Sequence, residues 1–193
     1  MRITAKRAVA LPVAALSAVA LSGIMAASAN ADVVSGSVTL TVNASFLAGL
    51  AEHGIGFVPS GYRTLAYSNG AATVTYALNA GTAEVTTFSG SAPAPGGIFG
   101  FDLKSLKLVD LQSLIFDLGD SQFDGQGSAS VGEVPLLDIT GSTFGAVSGT
   151  SETYSGSELT LDPAGAAYLN SALGTSAFVA GTDVGSFTAS WTS

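Results

Sequence analysis

His53 is the only imidazole in 193 residues, and Tyr62 and Tyr67 follow it closely. An imidazole can serve as a general base. Acyl transfer needs more: a nucleophile, a base and an acid to orient the base. Serines are plentiful, but no Gly-x-Ser-x-Gly turn is present and His53 is the only histidine available as base. Glycoside hydrolysis needs two facing carboxylates, and fourteen acids make some pair inevitable by chance. With one histidine and no cysteine, the usual zinc ligand sets are missing. The run "FDLGDSQFDGQG" offers Asp117, Asp120 and Asp124 as oxygen ligands for calcium. Its spacing matches neither an EF-hand loop nor an Asp-Gly nonapeptide repeat, and a solvated turn is the plainer reading. Asn43-Ala44-Ser45 forms a glycosylation sequon, but a helix cap explains its asparagine equally well.

The elements that must carry these residues are mostly strands. "SVTLTVN" sets Val38, Leu40 and Val42 against Ser37, Thr39 and Thr41, and "ATVTYALN" sets Val74, Tyr76 and Leu78 in the same rhythm. Period-two runs between Gly-rich turns predict an all-β antiparallel sandwich of many short strands. The gap Ala80-Gly81 leads into "TAEVTTF", which predicts a hairpin. "SGSAPAPGG" (89–97) holds small residues and two prolines and is expected as an extended loop between sheet regions. Leu103, Leu106, Leu108, Leu111, Leu114 and Phe116 belong to the most apolar stretch and are assigned to central strands buried on at least one face. A helix over Leu103 to Leu114 competes, because short apolar runs do not decide by period alone.

One stretch breaks the strand pattern. In "LTLDPAGAAYLNSALG" (159–174), Asp162 can accept from free amides as an N-cap, Pro163 suits the first helical position, and Gly174 suits the C-cap. The resulting helix of about eleven residues is too short to span a bilayer, so packing on a sheet is its expected role. The segment 37–61 resembles the segment 157–181. Each has a Leu-Thr strand ending in Asn43 or Asp162, a short Ala/Leu helix, a glycine, and then Phe57-Val58 or Phe178-Val179. This predicts two similar strand–helix corners.

The beginning of the chain has a different character. Arg2, Lys6 and Arg7 precede an Ala/Val/Leu run that ends in Ala29-Asn30-Ala31, so residues 1–31 are expected to be a cleaved secretory signal. A retained anchor over 8–25 is the rival, though that stretch is mostly alanine and contains a proline. Neither a twin-arginine pair nor a lipidation cysteine is present. Residues 32–193 are expected to form a single domain, large enough for one core. They retain only Arg63, Lys104 and Lys107 against fourteen acids, a formal charge of −11. Such a surface repels phosphate backbones, which excludes nucleic acid and disfavours anionic lipid. No second apolar span follows the first.

The strand entering "NASFLAGL", the middle "FDLGDSQFDGQGSASVGEVPLLDI" and the final "LTLDPAGAAYLNSALGTSAFVAGTDVGSFTAS" resemble the HtaA family of secreted actinobacterial proteins. That resemblance implies a β-sandwich with short helices in domains that bind haem or are uncharacterised. In haem-binding members it implies a Tyr on the first short helix as iron ligand, in a Ser-Phe-x-x-Tyr arrangement supported by a His. Here Ser45-Phe46 match, Gly49 occupies the Tyr position, and Leu40-Thr41 replace the usual Trp-Gly opening. Glycine cannot ligate iron, so that ligand does not carry over. The equivalent position in the second corner holds Tyr168, whose plainer role is in the core. The expected function is a secreted, non-enzymatic binding or structural module of the cell envelope or extracellular space, with no cofactor and a partner of unknown identity. The alternative is haem uptake through a displaced ligand, with His53 and Tyr62 as candidates.

Overall fold

The computed structural model describes residue 33 and residues 35–127 and 132–192; the signal expected over 1–31 lies outside the described residues. In chain order the elements are β1 (Ser35–Val42), α1 (Ala44–His53), β2 (Ile55–Pro59), β3 (Thr64–Ser68), β4 (Ala71–Leu78), β5 (Ser91–Ala94) and β6 (Ile98–Asp102). They continue with β7 (Lys107–Leu111), β8 (Ser113–Asp117), β9 (Gln122–Gln126), β10 (Glu133–Ser148), β11 (Ser151–Leu161), α2 (Pro163–Leu173) and β12 (Asp183–Thr192). Nine strands form one antiparallel sheet in the order β3-β4-β1-β12-β11-β10-β9-β8-β5, and β2-β6-β7 form a second, smaller sheet. The class is all-β, as the alternation predicts.

The physical cause is the period of two. Val38 and Leu40 of β1 stand opposite Ala189 and Phe187 of β12 and, on the other side, Tyr76 and Val74 of β4. One face of each strand therefore enters a common core. Phe116 sits at its centre, with ring centroids 5.3 Å from Phe123, 5.7 Å from Phe187 and 5.9 Å from Trp191. Aromatic pairs at such distances are favourable beyond their burial alone.

The two corners predicted from the internal likeness both exist. β1 and β11 each pair antiparallel with β12, one on either side, so they run the same way and their helices leave the same end of the sheet. Each helix stops at a glycine in the left-handed region, Gly54 at φ 81° and Gly174 at φ 69°, where a side chain would be strained. Their starts differ. Asp162 Oδ1 accepts the N–H groups of Ala164 (2.5 Å) and Gly165 (3.2 Å). Asn43 makes no side-chain cap; its Nδ2 donates to Asp183 Oδ2 at 2.8 Å.

Three segments depart from the sequence reading. Within "SGSAPAPGG", Ser91–Ala94 form β5, an edge strand on β8 with Pro93 opposite Ile115. An edge tolerates a proline because the missing N–H can be turned away from the ladder. The segment "TAEVTTF" forms only an isolated bridge, Glu84 to Ser89. Side chains take up its backbone groups instead: Val85 N–H donates to Glu152 Oε2 (2.7 Å), and Trp191 Nε1 donates to the Ala83 carbonyl (3.1 Å). Finally, the leucine-rich stretch is strand, not helix, but it is only partly central. Leu111, Leu114 and Phe116 are buried, whereas Leu103 and Leu106 are exposed because the chain reverses between β6 and β7, and Leu108 because it lies on the outward face of β7.

Candidate ligand cleft

The corners create a space that their own side chains do not fill. Leu40 and Val42 at the end of β1 point beneath α1, which lowers Phe46, Leu47 and Leu50 towards them. From the other corner come Leu161, Leu169 and Phe178, and the Phe57 and Phe178 rings meet edge to face with centroids 5.9 Å apart. Between these walls lies a cavity of about 120 Å³ lined only by apolar residues. A second cavity of about 320 Å³ extends under α1 towards β3 and β4, where Leu65, Tyr67, Ala72, Val74 and Tyr76 line it. The two share Leu40, Val42, Leu47, Phe57 and Ile98 as walls. Exposed Ala51 on α1 and exposed Tyr67 on β3 mark the mouth of the larger one.

The electrostatics of this cleft are simple. No carboxylate, histidine or serine lines either cavity. Tyr76 is buried, donates its hydroxyl to the Gly97 carbonyl at 3.0 Å, and has its pKa pushed well up by burial. It stays a neutral phenol at any physiological pH. The arrangement can remove an apolar group from water, and the only ionisable groups on its walls are the Tyr67 and Tyr76 phenols.

The sequence-derived candidates fall around the cleft, not in it. His53 ends α1 and is exposed, and Tyr62 is exposed between β2 and β3; neither lines a cavity. Tyr67, noted only as their neighbour, stands at the mouth. Gly49 is exposed, and a Cβ placed there would meet no atom within 4 Å. Tyr168 is half-buried and packs against both apolar clusters; burial and the nearby Asp110 charge raise its pKa. In the acidic run, Asp117 Oδ1 accepts the Asp120 N–H at 3.0 Å, while Asp124 is buried on β9. Among the described residues no three His, Asp or Glu side chains come together to hold a metal ion.

The wall residues were not identifiable as a site beforehand. Leu40, Leu47, Phe57 and Ile98 belong to four separate elements, and each has only the ordinary signal of a core position. The one available clue was the repeated Phe-Val after each helix, which places Phe57 against Phe178.

No family model and no curated protein matches the chain. Among solved structures, its fold is similar to that of the C-terminal domain of HtaA from Corynebacterium glutamicum. The TM-score is 0.58 at 18% identity, over 83% of this chain and 98% of that domain. A single-residue variant of the same domain, crystallised as a domain-swapped dimer, gives a TM-score of 0.49 at 18% identity, over 77% of this chain and 90% of the variant. The likeness is one of fold.

Proposed function

We propose that this chain, with its HtaA-like fold, is a secreted, non-enzymatic binding module of the cell envelope or extracellular space whose cleft receives an apolar ligand. The observation that carries this reading is the cleft itself: two cavities with shared walls and only apolar or neutral lining. Small-molecule clefts run from about 300 to about 1,000 Å³, so the larger cavity, at about 320 Å³, suits a slim apolar chain or a single small ring system. The absence of a side chain at Gly49 supports the same reading, because the HtaA resemblance would put the haem ligand there.

Titration with the neutral fluorophore N-phenyl-1-naphthylamine tests it. Saturable binding is expected, and Leu47→Trp, which fills the space from the wall common to both cavities, should weaken it about tenfold or more, with the far-ultraviolet spectrum unchanged. Absence of saturable binding, or equal binding by the variant, would overturn the reading. Haemin gives the second arm. The expected result is no sharp Soret band at micromolar protein. A sharp band that His53→Ala or Tyr62→Phe weakens would establish haem uptake through a displaced ligand instead.

A further inference from the structure

The two chambers of the cleft differ in character, and the difference specifies what they hold. The inner cavity, about 120 Å³, lies where the two apolar clusters of the core meet. Leu111, Leu114 and Phe123 face it from one cluster, and Leu161, Leu169 and Phe178 face it from the other. No polar atom lines it. An ordered water needs roughly 10–15 Å³ and two to four polar partners. This cavity has room for several waters and partners for none, so it stays dry. Protein interiors otherwise leave few voids larger than a water molecule, and an apolar group is what fits this one.

The outer cavity, about 320 Å³, ends at a polar group. Tyr67 lines it, is 67% exposed, and its hydroxyl has no hydrogen-bond partner among the described residues. The Tyr76 hydroxyl, by contrast, is committed to the Gly97 carbonyl. Tyr67 therefore offers a free donor and acceptor where an occupant would emerge. No charged side chain lines either cavity, and Arg63, two residues before the lining Leu65, is exposed outside both. An ionised head would find no counter-charge in these walls.

Side chains common to both chambers divide them. Leu47 from α1, Phe57 from β2 and Ile98 from β6 each line both cavities, so the space narrows between them. A ring system or a branched chain fits the outer chamber alone. A chain of methylene groups is slender enough to pass these side chains and fill both. Burying its full length gains more than burying the outer part, because the gain follows the apolar area removed from water.

We propose that the cleft holds an unbranched aliphatic chain ending in a small uncharged polar group, a hydroxyl or an ester. The tail passes Leu47 and Phe57 into the inner chamber, and the polar end meets the Tyr67 hydroxyl at the mouth. The inference rests on the proposed apolar-binding role of the cleft and narrows its ligand to one shape and one charge state. Tyr67 fixes where the head stops, and the inner chamber selects for a tail long enough to reach it.

Displacement of bound N-phenyl-1-naphthylamine by 1-hexanol, 1-octanol and 1-decanol tests it. Affinity should rise about threefold with each added methylene up to 1-decanol. The wild type should also bind 1-decanol about tenfold or more tighter than its branched isomer 2-propyl-1-heptanol. Leu137→Phe fills the inner chamber from a half-buried position. It should bring 1-decanol down to about the affinity of 1-hexanol and leave 1-hexanol and the fluorophore unchanged. Tyr67→Phe should weaken 1-decanol about fivefold. Fluorophore binding with no gain beyond 1-hexanol, or equal binding of the two isomers, would overturn this inference and leave the apolar cleft standing. Absence of fluorophore binding would overturn both. Decanoate binding tighter than 1-decanol and lost in Arg63→Gln, or undiminished 1-decanol binding by Tyr67→Phe, would overturn the uncharged head at Tyr67.

Discussion

At the scale of single residues, Asp124 bears the largest electrostatic cost among the described carboxylates. It lies on β9 between Ile115 and Pro135 of the adjoining strands, is 2% exposed, and its Oδ1 has no hydrogen-bond partner. Burial first, and then the charge of Glu133 with smaller contributions from Asp117 and Asp120, push its pKa up to about 7. In the unfolded chain it would titrate near 3.8. Below about pH 3 both states are protonated and the group costs nothing. Between about 4 and 7 the unfolded state binds fewer protons, so stability falls as pH rises and stays reduced above 7. Asp124→Asn should therefore match the wild type in urea unfolding at about pH 3 and exceed it in midpoint at about pH 8. A difference that grew towards low pH would contradict this origin.

At the scale of elements, the two strand–helix corners look alike in sequence but are secured differently. Asp162 closes two of the free amides at the start of α2, and losing such a cap costs about 1 kcal/mol. Asn43 caps nothing and instead joins the start of α1 to Asp183, at the start of β12. Asp162→Ala should thus lower stability by about 1 kcal/mol. Asn43→Ala, which removes one exposed side-chain bond, should cost clearly less. Equal losses in parallel chemical unfolding would show that Asn43 caps α1 in solution. The identity of some elements was legible locally. Alternation marked β1 and β4, and Asp-Pro followed eleven residues later by glycine marked α2. The role of an individual side chain was not legible, because Asn43 could turn to its own helix or to a strand 140 residues away.

At the scale of the molecule, β12 joins the two corners. It pairs along most of its length with β1 on one side and β11 on the other, so its amides are protected by partners far apart in sequence. β3 is an edge strand with only its second residue, Leu65, even half-buried. The outer part of β10, from Gly141 onward, is exposed and lies beyond its pairing with β9. Hydrogen exchange should accordingly be slowest in β1, β12 and β11 and fastest in β3 and residues 143–148. Faster exchange in β12 than in β3 would mean that the sheet does not unfold from its edges.

The sequence by itself determined that β1 and β4 are strands, that α2 is a helix running from Asp162 to Gly174, and that a second strand–helix corner resembles it. These properties depend on side-chain period and on backbone groups satisfied within a few residues. Tertiary structure alone decided that Pro93 sits in an edge strand and that residues 82–89 give their backbone groups to Glu152 and Trp191 and form no ladder of their own. It alone decided which leucines of 103–116 face water. It also opened a cleft where many elements meet without filling the space between them. The reason is the same in each case: pairing, closure and leftover volume are fixed by contacts between distant segments, and a residue's type carries its preference for burial but not the place where burial is available.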